Sequence, residues 1–118
     1  MSFIYHIAER GDWERAVRDG EYTTSTRGLT LAQQGFIHCS EADQVADVAN
    51  FVYKGVPDLV LLVIDPARVR SPIQYDPVPD QPKPFPHIYG PLNPDAVIEV
   101  RPFEPGPTGE FGSVPHTR

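Results

Sequence analysis

Hydrophobic and polar positions in the first 20 residues predict a strand followed by a helix. Residues 3–7 are aromatic and β-branched, which favours a first strand. Trp13, Ala16 and Val17 share one helical face, so we expect a short helix after it. Gly20 is placed to end that helix, since glycine readily adopts the left-handed backbone of a C-terminal cap.

A second strand and helix are predicted immediately downstream. Residues 36–40 (FIHCS) favour a strand that runs directly into a helix, and Ser40 with Asp43 matches a capping box. The apolar stripe of this helix consists of Val45, Val48, Ala49 and Val52. Phe51 also stands at helix-core spacing and is predicted to pack.

The second half of the chain favours strands. Residues 59–64 form a continuous apolar run, which is typical of a strand buried on both faces. Short strands are expected at 73–76 and 87–90, and a final strand at 96–103. Residues 77–86 contain five prolines and are expected to form a connection without regular structure.

The predicted fold class is α+β, with a small mixed or antiparallel sheet and two or three helices. A chain of 118 residues fits one domain, which we assign to residues 1–103. The proline- and glycine-rich tail, residues 104–118, is expected to be loosely held.

Charge and composition exclude several classes of function. The formal net charge is −6, with no basic run, so nucleic acid is an unlikely partner. No apolar run approaches the roughly 20 residues of a membrane span, and no signal-peptide core is present. Cys39 is the only cysteine, which excludes an intrachain disulfide. A cytoplasmic location is therefore expected, and the oligomeric state is left open.

Two short segments carry the candidate chemistry. Alternate residues of a strand share a face, so each segment places an aromatic residue, a histidine and a hydroxyl on one side. The two faces consist of Phe36, His38 and Ser40 in one segment and Phe85, His87 and Tyr89 in the other. Side by side they would form a small-molecule pocket with two titratable imidazoles, within about 10 Å of each other.

Two further groups could contribute to this pocket. Ser40 would stand at a helix start, where free N–H groups attract a phosphate or carboxylate of the ligand. Asp76 could act as an acid–base group, although a turn role is the more common one for a loop carboxylate at this position. Gly90 would allow a tight turn and a close approach of the backbone.

The same residues also allow interpretations other than a ligand pocket. A single histidine on a strand is more often packed than catalytic, and Ser40 alone is more often a helix cap. Metal binding would need about three ligands from the four histidines or the carboxylates, and none has a recognised spacing, so no metal is expected. Those histidines are His6, His38, His87 and His116. Cys39 is predicted to be buried and inert.

Four segments resemble the bacterial family known as domain of unknown function 952. They are IYHI (4–7), GFIHCS (35–40), DLVLLVID (58–65) and FPHIYGPL (85–92). The resemblance covers about residues 3–103 and implies a fold similar to that of ADP-ribosyltransferases, with the RNA 2′-phosphotransferases as related enzymes.

The resemblance also implies roles for particular residues. His38 and Ser40 would lie in the strand that lines a nicotinamide cleft, and His87 and Tyr89 would face it. His6 would stand where transferases often place a ribose-binding histidine. Asp76 stands where the family often has a glutamate.

Three functional hypotheses follow. The first is an enzyme, or a degenerate enzyme, that uses NAD as substrate or binds another nucleotide-like ribose compound, with His38 and His87 as catalytic groups. In it, Phe85 and Tyr89 would stack on a ring of the ligand, and no cofactor is established. The second is a non-catalytic module that binds a small metabolite in the same pocket. The third is a structural or interaction protein whose histidines are only packed.

Overall fold

A computed structural model describes residues 2–112. The strands are β1 (Ile4–Glu9), β2 (Thr24–Thr26), β3 (Leu29–Thr30), β4 (Ile37–His38), β5 (Leu59–Ile64), β6 (Ile73–Asp76), β7 (Phe85–Ile88) and β8 (Val97–Phe103). The α-helices are α1 (Arg10–Asp19), α2 (Leu31–Gln34) and α3 (Val45–Val52). Three single 3₁₀ turns cover Ala42–Gln44, Pro66–Arg68 and Pro94–Ala96. The predicted α+β class is confirmed.

The strands form three antiparallel sheets. The first has the order β1-β5-β8, the second is the β2–β3 hairpin, and the third has the order β4-β7-β6. Every residue of β5 is buried, as its apolar run predicts. The two faces of β5 belong to two hydrophobic clusters, one that includes residues of α1 and β4 and one that includes residues of α3.

The first helix is longer than its sequence pattern predicts. It begins at Arg10 and ends at Gly20, whose φ of 86° is the left-handed cap that was expected. Ala16 is buried, but Val17 is 56 % exposed, so the prediction that both share the buried face is wrong for Val17. The core here is covered by Trp13 and Ala16 instead.

The start of the α3 region differs from the predicted capping box. The N-cap residue of the 3₁₀ turn is Glu41, whose N–H donates to the side chain of Gln44 at 2.8 Å. Ser40 is still extended, because its N–H and C=O both pair with Tyr5 at 2.8 Å. The Ser40–Asp43 box is therefore wrong by one residue. Val45 and Ala49 are buried as predicted, whereas Phe51 is 90 % exposed and does not pack.

The proline-rich connection is two residues shorter than predicted. Phe85 and Pro86 belong to β7, where Pro86 stands opposite Tyr75 of β6. A proline is tolerated in this central strand because β4 pairs only with His87 and Ile88. The carbonyl of Pro86 still accepts a hydrogen bond from Cys39, at 3.0 Å.

The first part of the tail packs against the domain. Phe111 is 5 % exposed and stacks on Phe103 with ring centroids 4.7 Å apart. Asn50 bonds both the N–H and the C=O of Phe111, at 2.7 and 3.1 Å. An aromatic side chain and two hydrogen bonds attach this segment to the domain at Phe111, and the expectation of a loosely held tail over residues 104–118 stays a prediction. Residues 113–118 lie outside the described part of the chain.

Candidate functional site

The two histidine segments meet in the third sheet. His38 of β4 stands directly opposite His87 of β7 in the antiparallel register. Their rings come together on one face, with His38 Nδ1 3.3 Å from His87 Nε2. The opposite face carries Ile37, Cys39 and Ile88, which are fully buried in the core. The strand alternation in the sequence thus places the two imidazoles as expected.

Asp76 extends the His38–His87 pair to a hydrogen-bonded series of three side chains. It ends β6, the other neighbour of β7, and its Oδ2 lies 2.7 Å from His87 Nδ1. Tyr89 donates its hydroxyl to the same oxygen, and Gln74 donates to Oδ1 at 2.6 Å. These two hydrogen bonds, with a smaller contribution from His87, hold the pKa of the Asp76 carboxyl below its usual value.

The hydrogen bonds define where the protons lie. The Asp76 carboxylate can only accept, so Nδ1 of His87 carries a proton. With one proton on each ring, Nε2 of His87 accepts from Nδ1–H of His38. The Nε2 of His38 is then left with a lone pair, and no described residue bonds it. Burial, followed by the neighbouring His87 and His6 rings, lowers the pKa of His38 to about 4.

His6 supports the backbone of this pair. It is 2 % exposed, and its Nδ1 donates to the carbonyl of His38 at 2.6 Å. Its Nε2 accepts from the hydroxyl of Tyr22 at 2.8 Å. Burial lowers the pKa of His6 to about 4, which keeps the ring neutral. Both ring nitrogens of His6 are bonded within the chain, so the structure places it as a positioning group, and the ribose-binding role that the resemblance implies stays a prediction.

Aromatic rings hold both imidazoles in place. Phe36 stacks on His87 at a centroid distance of 3.9 Å and an angle of 12°. Phe85 packs against His38 at 5.1 Å and is itself 4 % exposed. His87 is consequently almost closed to solvent, with a side chain that is 5 % exposed. His38 is the member of the pair that can meet a ligand.

His38 lines a cleft of about 430 Å³ between α3 and the proline-rich loop 77–84. The apolar part of its wall consists of Val48, Phe51, Val52, Val78, Pro79 and Phe85. The polar part consists of Thr26, His38, Asp47, Asp80 and Gln81. The volume is in the range of small-molecule sites. The wall contains two carboxylates and, among the described residues, neither lysine nor arginine.

A family model described as "Protein of unknown function (DUF952)" matches residues 7–100. The chain belongs to the DUF952 family. The crystal structure of protein CC0527 from Caulobacter crescentus is similar, with a TM-score of 0.83 and 25 % identity over 94 % of each chain. The solution structure of the same protein has a TM-score of 0.73 and 26 % identity, over 93 % of this chain and 91 % of that one. No curated protein sequence matches the chain.

In this DUF952 chain, the predicted ligand residues Ser40 and Tyr89 lie at the edges of the His38–His87 pair. Ser40 does not offer a free helix N-terminus, because its N–H bonds Tyr5 and the next residue is the acidic Glu41. This geometry gives no support to the predicted phosphate site. Tyr89 is 39 % exposed and faces Asp76, while the cleft wall contains Phe85 but not Tyr89. Of the two residues predicted to stack on a ligand ring, Phe85 lines the cleft, and its stacking stays a prediction.

No group of three or more histidine, cysteine or carboxylate side chains within residues 2–112 is arranged to hold a metal ion. His116, one of the four candidate ligands, lies outside those residues. Cys39 is fully buried, and burial raises the pKa of its thiol, so it is protonated at neutral pH.

Several groups of this site have no clear signal in the sequence. Asp47 and Phe51 look like ordinary surface and core positions of a helix, and Val78 and Asp80 lie in a loop with no periodic pattern. The pairing of Asp76 with His87 depends on a register across an eight-residue loop, which local patterns do not determine.

Proposed function

We propose that the protein is an acid–base enzyme that acts on a small neutral or cationic molecule bound against His38. One observation carries the proposal: the Asp76–His87–His38 chain ends at the wall of a largely apolar cleft of about 430 Å³. A carboxylate that orients a histidine, which in turn contacts the group facing the ligand, is the usual arrangement for proton transfer. Such transfer contributes roughly 10²–10⁴-fold to a rate.

The relay explains how a buried ring can serve as a base. His38 accepts a proton at Nε2 while its Nδ1 proton passes to Nε2 of His87. The positive charge then lies on His87, whose Nδ1–H is 2.7 Å from the Asp76 carboxylate. Burial disfavours a charge on His38 itself, and the relay moves that charge to the ring with a carboxylate partner.

The charge of the cleft favours some ligands over others. Asp47 and Asp80 line it, and a phosphate would be repelled by both carboxylates. NAD and ribose phosphates, which the ADP-ribosyltransferase resemblance suggests, are therefore less well supported than nucleoside-sized molecules without phosphate. A positively charged ring between Phe85 and the aspartates would gain from both the aromatic face and the charge.

NMR titration of labelled protein tests this preference. The probes are nicotinamide riboside, which is cationic, adenosine, which is neutral, and ADP-ribose and NAD, which carry pyrophosphate. We expect saturable shifts at His38, Asp47 and Phe85 with the riboside, weaker shifts with adenosine and the weakest with ADP-ribose and NAD. Tighter binding of ADP-ribose than of the riboside would contradict the proposed ligand class.

Catalysis is tested with p-nitrophenyl acetate, a small neutral aryl ester. We expect hydrolysis faster than with imidazole at equal concentration, loss of that excess in His38→Ala, and a loss of roughly tenfold or more in Asp76→Asn. The matched control for Asp76→Asn is Asp19→Asn, at an exposed carboxylate of α1 that does not line the cleft. If the wild-type protein matches free imidazole but still binds the riboside, the enzyme proposal is wrong and the chain is a binding module.

A further inference from the structure

Ser25 carries an unpartnered hydroxyl in the interior. It lies in β2, is 0 % exposed, and its Oγ has no hydrogen-bond partner in the described part of the chain. Buried hydroxyls in folded proteins are almost always bonded, either to the protein or to ordered water. The hydroxyl of Ser25 therefore points to a bound group that satisfies it.

A small cavity lies beside this hydroxyl. Its volume is about 10 Å³, which corresponds to a single water molecule. Most of its wall surface is apolar, and the hydroxyl of Ser25 and the ring of His38 are polar groups within that wall that can serve as the partners a buried water requires. The lining residues are Tyr5, His6, Ile7, Ser25, Thr26, His38, Ser40, Val48 and Tyr53.

The small cavity and the ligand cleft share a wall. Thr26, His38 and Val48 line both spaces. His38 thus contacts the ligand cleft on one side and the Ser25 cavity on the other. A molecule bound at Ser25 would stand next to the ring at which the Asp76–His87–His38 chain ends.

We propose that Ser25 and His38 hold one water molecule in this cavity, and that this water is the nucleophile of a hydrolytic reaction on the ligand in the cleft. The inference rests on the proposed function, since it needs His38 as the base. It specifies the reaction class as hydrolysis in place of transfer to another acceptor. Ser25 is a positioning residue in this scheme, because it is too buried to contact the ligand itself.

With an ester probe, the proposed reaction is attack of the water on the acyl carbon and release of the aryl oxide. The water oxygen forms a bond to the acyl carbon while its proton moves to Nε2 of His38, and the Nδ1 proton of His38 moves to His87. The carbon–oxygen bond to the aryl group then breaks, and the aryl oxide leaves with the electron pair. The proton held by the histidine pair returns to solvent or to the leaving oxygen.

The presence of the water is measured by NMR cross-relaxation between water and the protons of Ser25 and His38. We expect contacts from a long-lived water in the wild-type protein and their loss in Ser25→Ala. Ser2→Ala, a serine exchange at an exposed position, is the control and keeps them. An absence of long-lived water at Ser25 in the wild type overturns the inference. Ser25→Ala removes only an unpartnered hydroxyl, so the variant is expected to fold, and its thermal transition verifies this.

The role of the water is measured with p-nitrophenyl acetate. We expect Ser25→Ala to lower kcat roughly tenfold with KM unchanged, because the water loses a positioning partner and the ligand cleft stays intact. An unchanged kcat in Ser25→Ala, with His38→Ala inactive, would mean that His38 attacks the ester directly. The inference of a nucleophilic water would then be wrong, and the proposed function would stand. If wild-type activity does not depend on His38, the proposed function fails as well.

Discussion

His6 shows at the level of one residue how burial connects to pH dependence. The ring is 2 % exposed, bonded at both nitrogens, and its pKa is lowered to about 4. The unfolded chain, with a histidine pKa near 6.5, binds this proton first as pH falls. The stability that neutral His6 contributes is thus fully present above about pH 6.5 and is lost as pH falls toward 4.

We therefore expect the free energy of unfolding to fall between pH 6.5 and 4, with up to about 3 kcal/mol of the loss due to His6. His38, whose pKa is lowered in the same direction, adds to the loss. Urea denaturation at a series of pH values measures it. His6→Gln should flatten the curve in this window, and a slope equal to that of the wild type would show that His6 does not titrate as described.

At this scale the sequence predicts the faces of side chains better than their partners. Alternation predicts which face of its strand each of His38 and His87 occupies, and the pairing of β4 with β7 in the structure brings the two faces together. The role of His6 could not be predicted, because its partners Tyr22 and the His38 carbonyl come from separate elements. The place of Ser40 was wrong for a physical reason: the chain stays extended through Ser40 to pair with Tyr5, and the helical turn starts one residue later.

Among the elements, the loop 77–84 depends on contacts with the start of the α3 region. Lys83 bonds Glu41 at 3.0 Å and Asp43 at 2.7 Å, and the side chain of Gln44 donates to the carbonyl of Pro84 at 3.1 Å. Val78, Pro79, Asp80 and Gln81 of the same loop line the cleft. These contacts fix one wall of the candidate site.

Lys83→Met is expected to loosen this loop. Because the ion pairs are exposed, the effect is modest: we expect hydrogen exchange at the amides of Asp80 and Gln81 to accelerate about two- to fivefold. High salt should produce a similar change in the wild type. Lys54→Met, at the other lysine of the chain, is the matched control. Equal exchange rates in the two variants would show that the ion pairs do not hold the loop.

The sequence predicts long or strongly patterned elements best. The run at 59–64 and the apolar stripe of α3 are confirmed, since burial on a regular period leaves a clear pattern. The inclusion of Pro86 in a strand was not predicted, because proline ordinarily ends one. Pro86 is tolerated there because β4 has only two residues and pairs only with His87 and Ile88, which is a property of the assembled sheet.

For the whole molecule, residues 104–112 are part of the fold. Phe111 covers the cluster that contains α3, and Gly109 accepts a hydrogen bond from the N–H of Gly55 at 2.9 Å. A chain that ends at Phe103 is expected to lose about 3 kcal/mol of stability, since it gives up a buried phenylalanine and the two bonds of Asn50. Thermal and urea denaturation measure the loss.

A chain that ends at Gly112 is the control for this truncation, because it keeps every contact described for Phe111. The chain that ends at Gly112 should therefore be more stable than the chain that ends at Phe103, by most of the predicted loss. Equal stability would mean that the segment packs without contributing. Composition alone suggested a loose tail, and the single aromatic residue at 111 was too weak a signal to outweigh five prolines and glycines around it.

The proposed function requires that Asp76, His87 and His38 form one proton-conducting chain that ends at the cleft. Long-range ¹H–¹⁵N NMR of the histidine rings tests it most directly, because it reports the tautomer and pKa of each ring. We expect protonated Nδ1 on both His38 and His87, a lone pair on Nε2 of His38, and a pKa of about 4 for His38. Asp76→Asn should change the tautomer balance of both rings together. A His38 that carries its proton on Nε2, titrates at its ordinary pKa and does not respond to Asp76→Asn would show that the three side chains do not act as one relay.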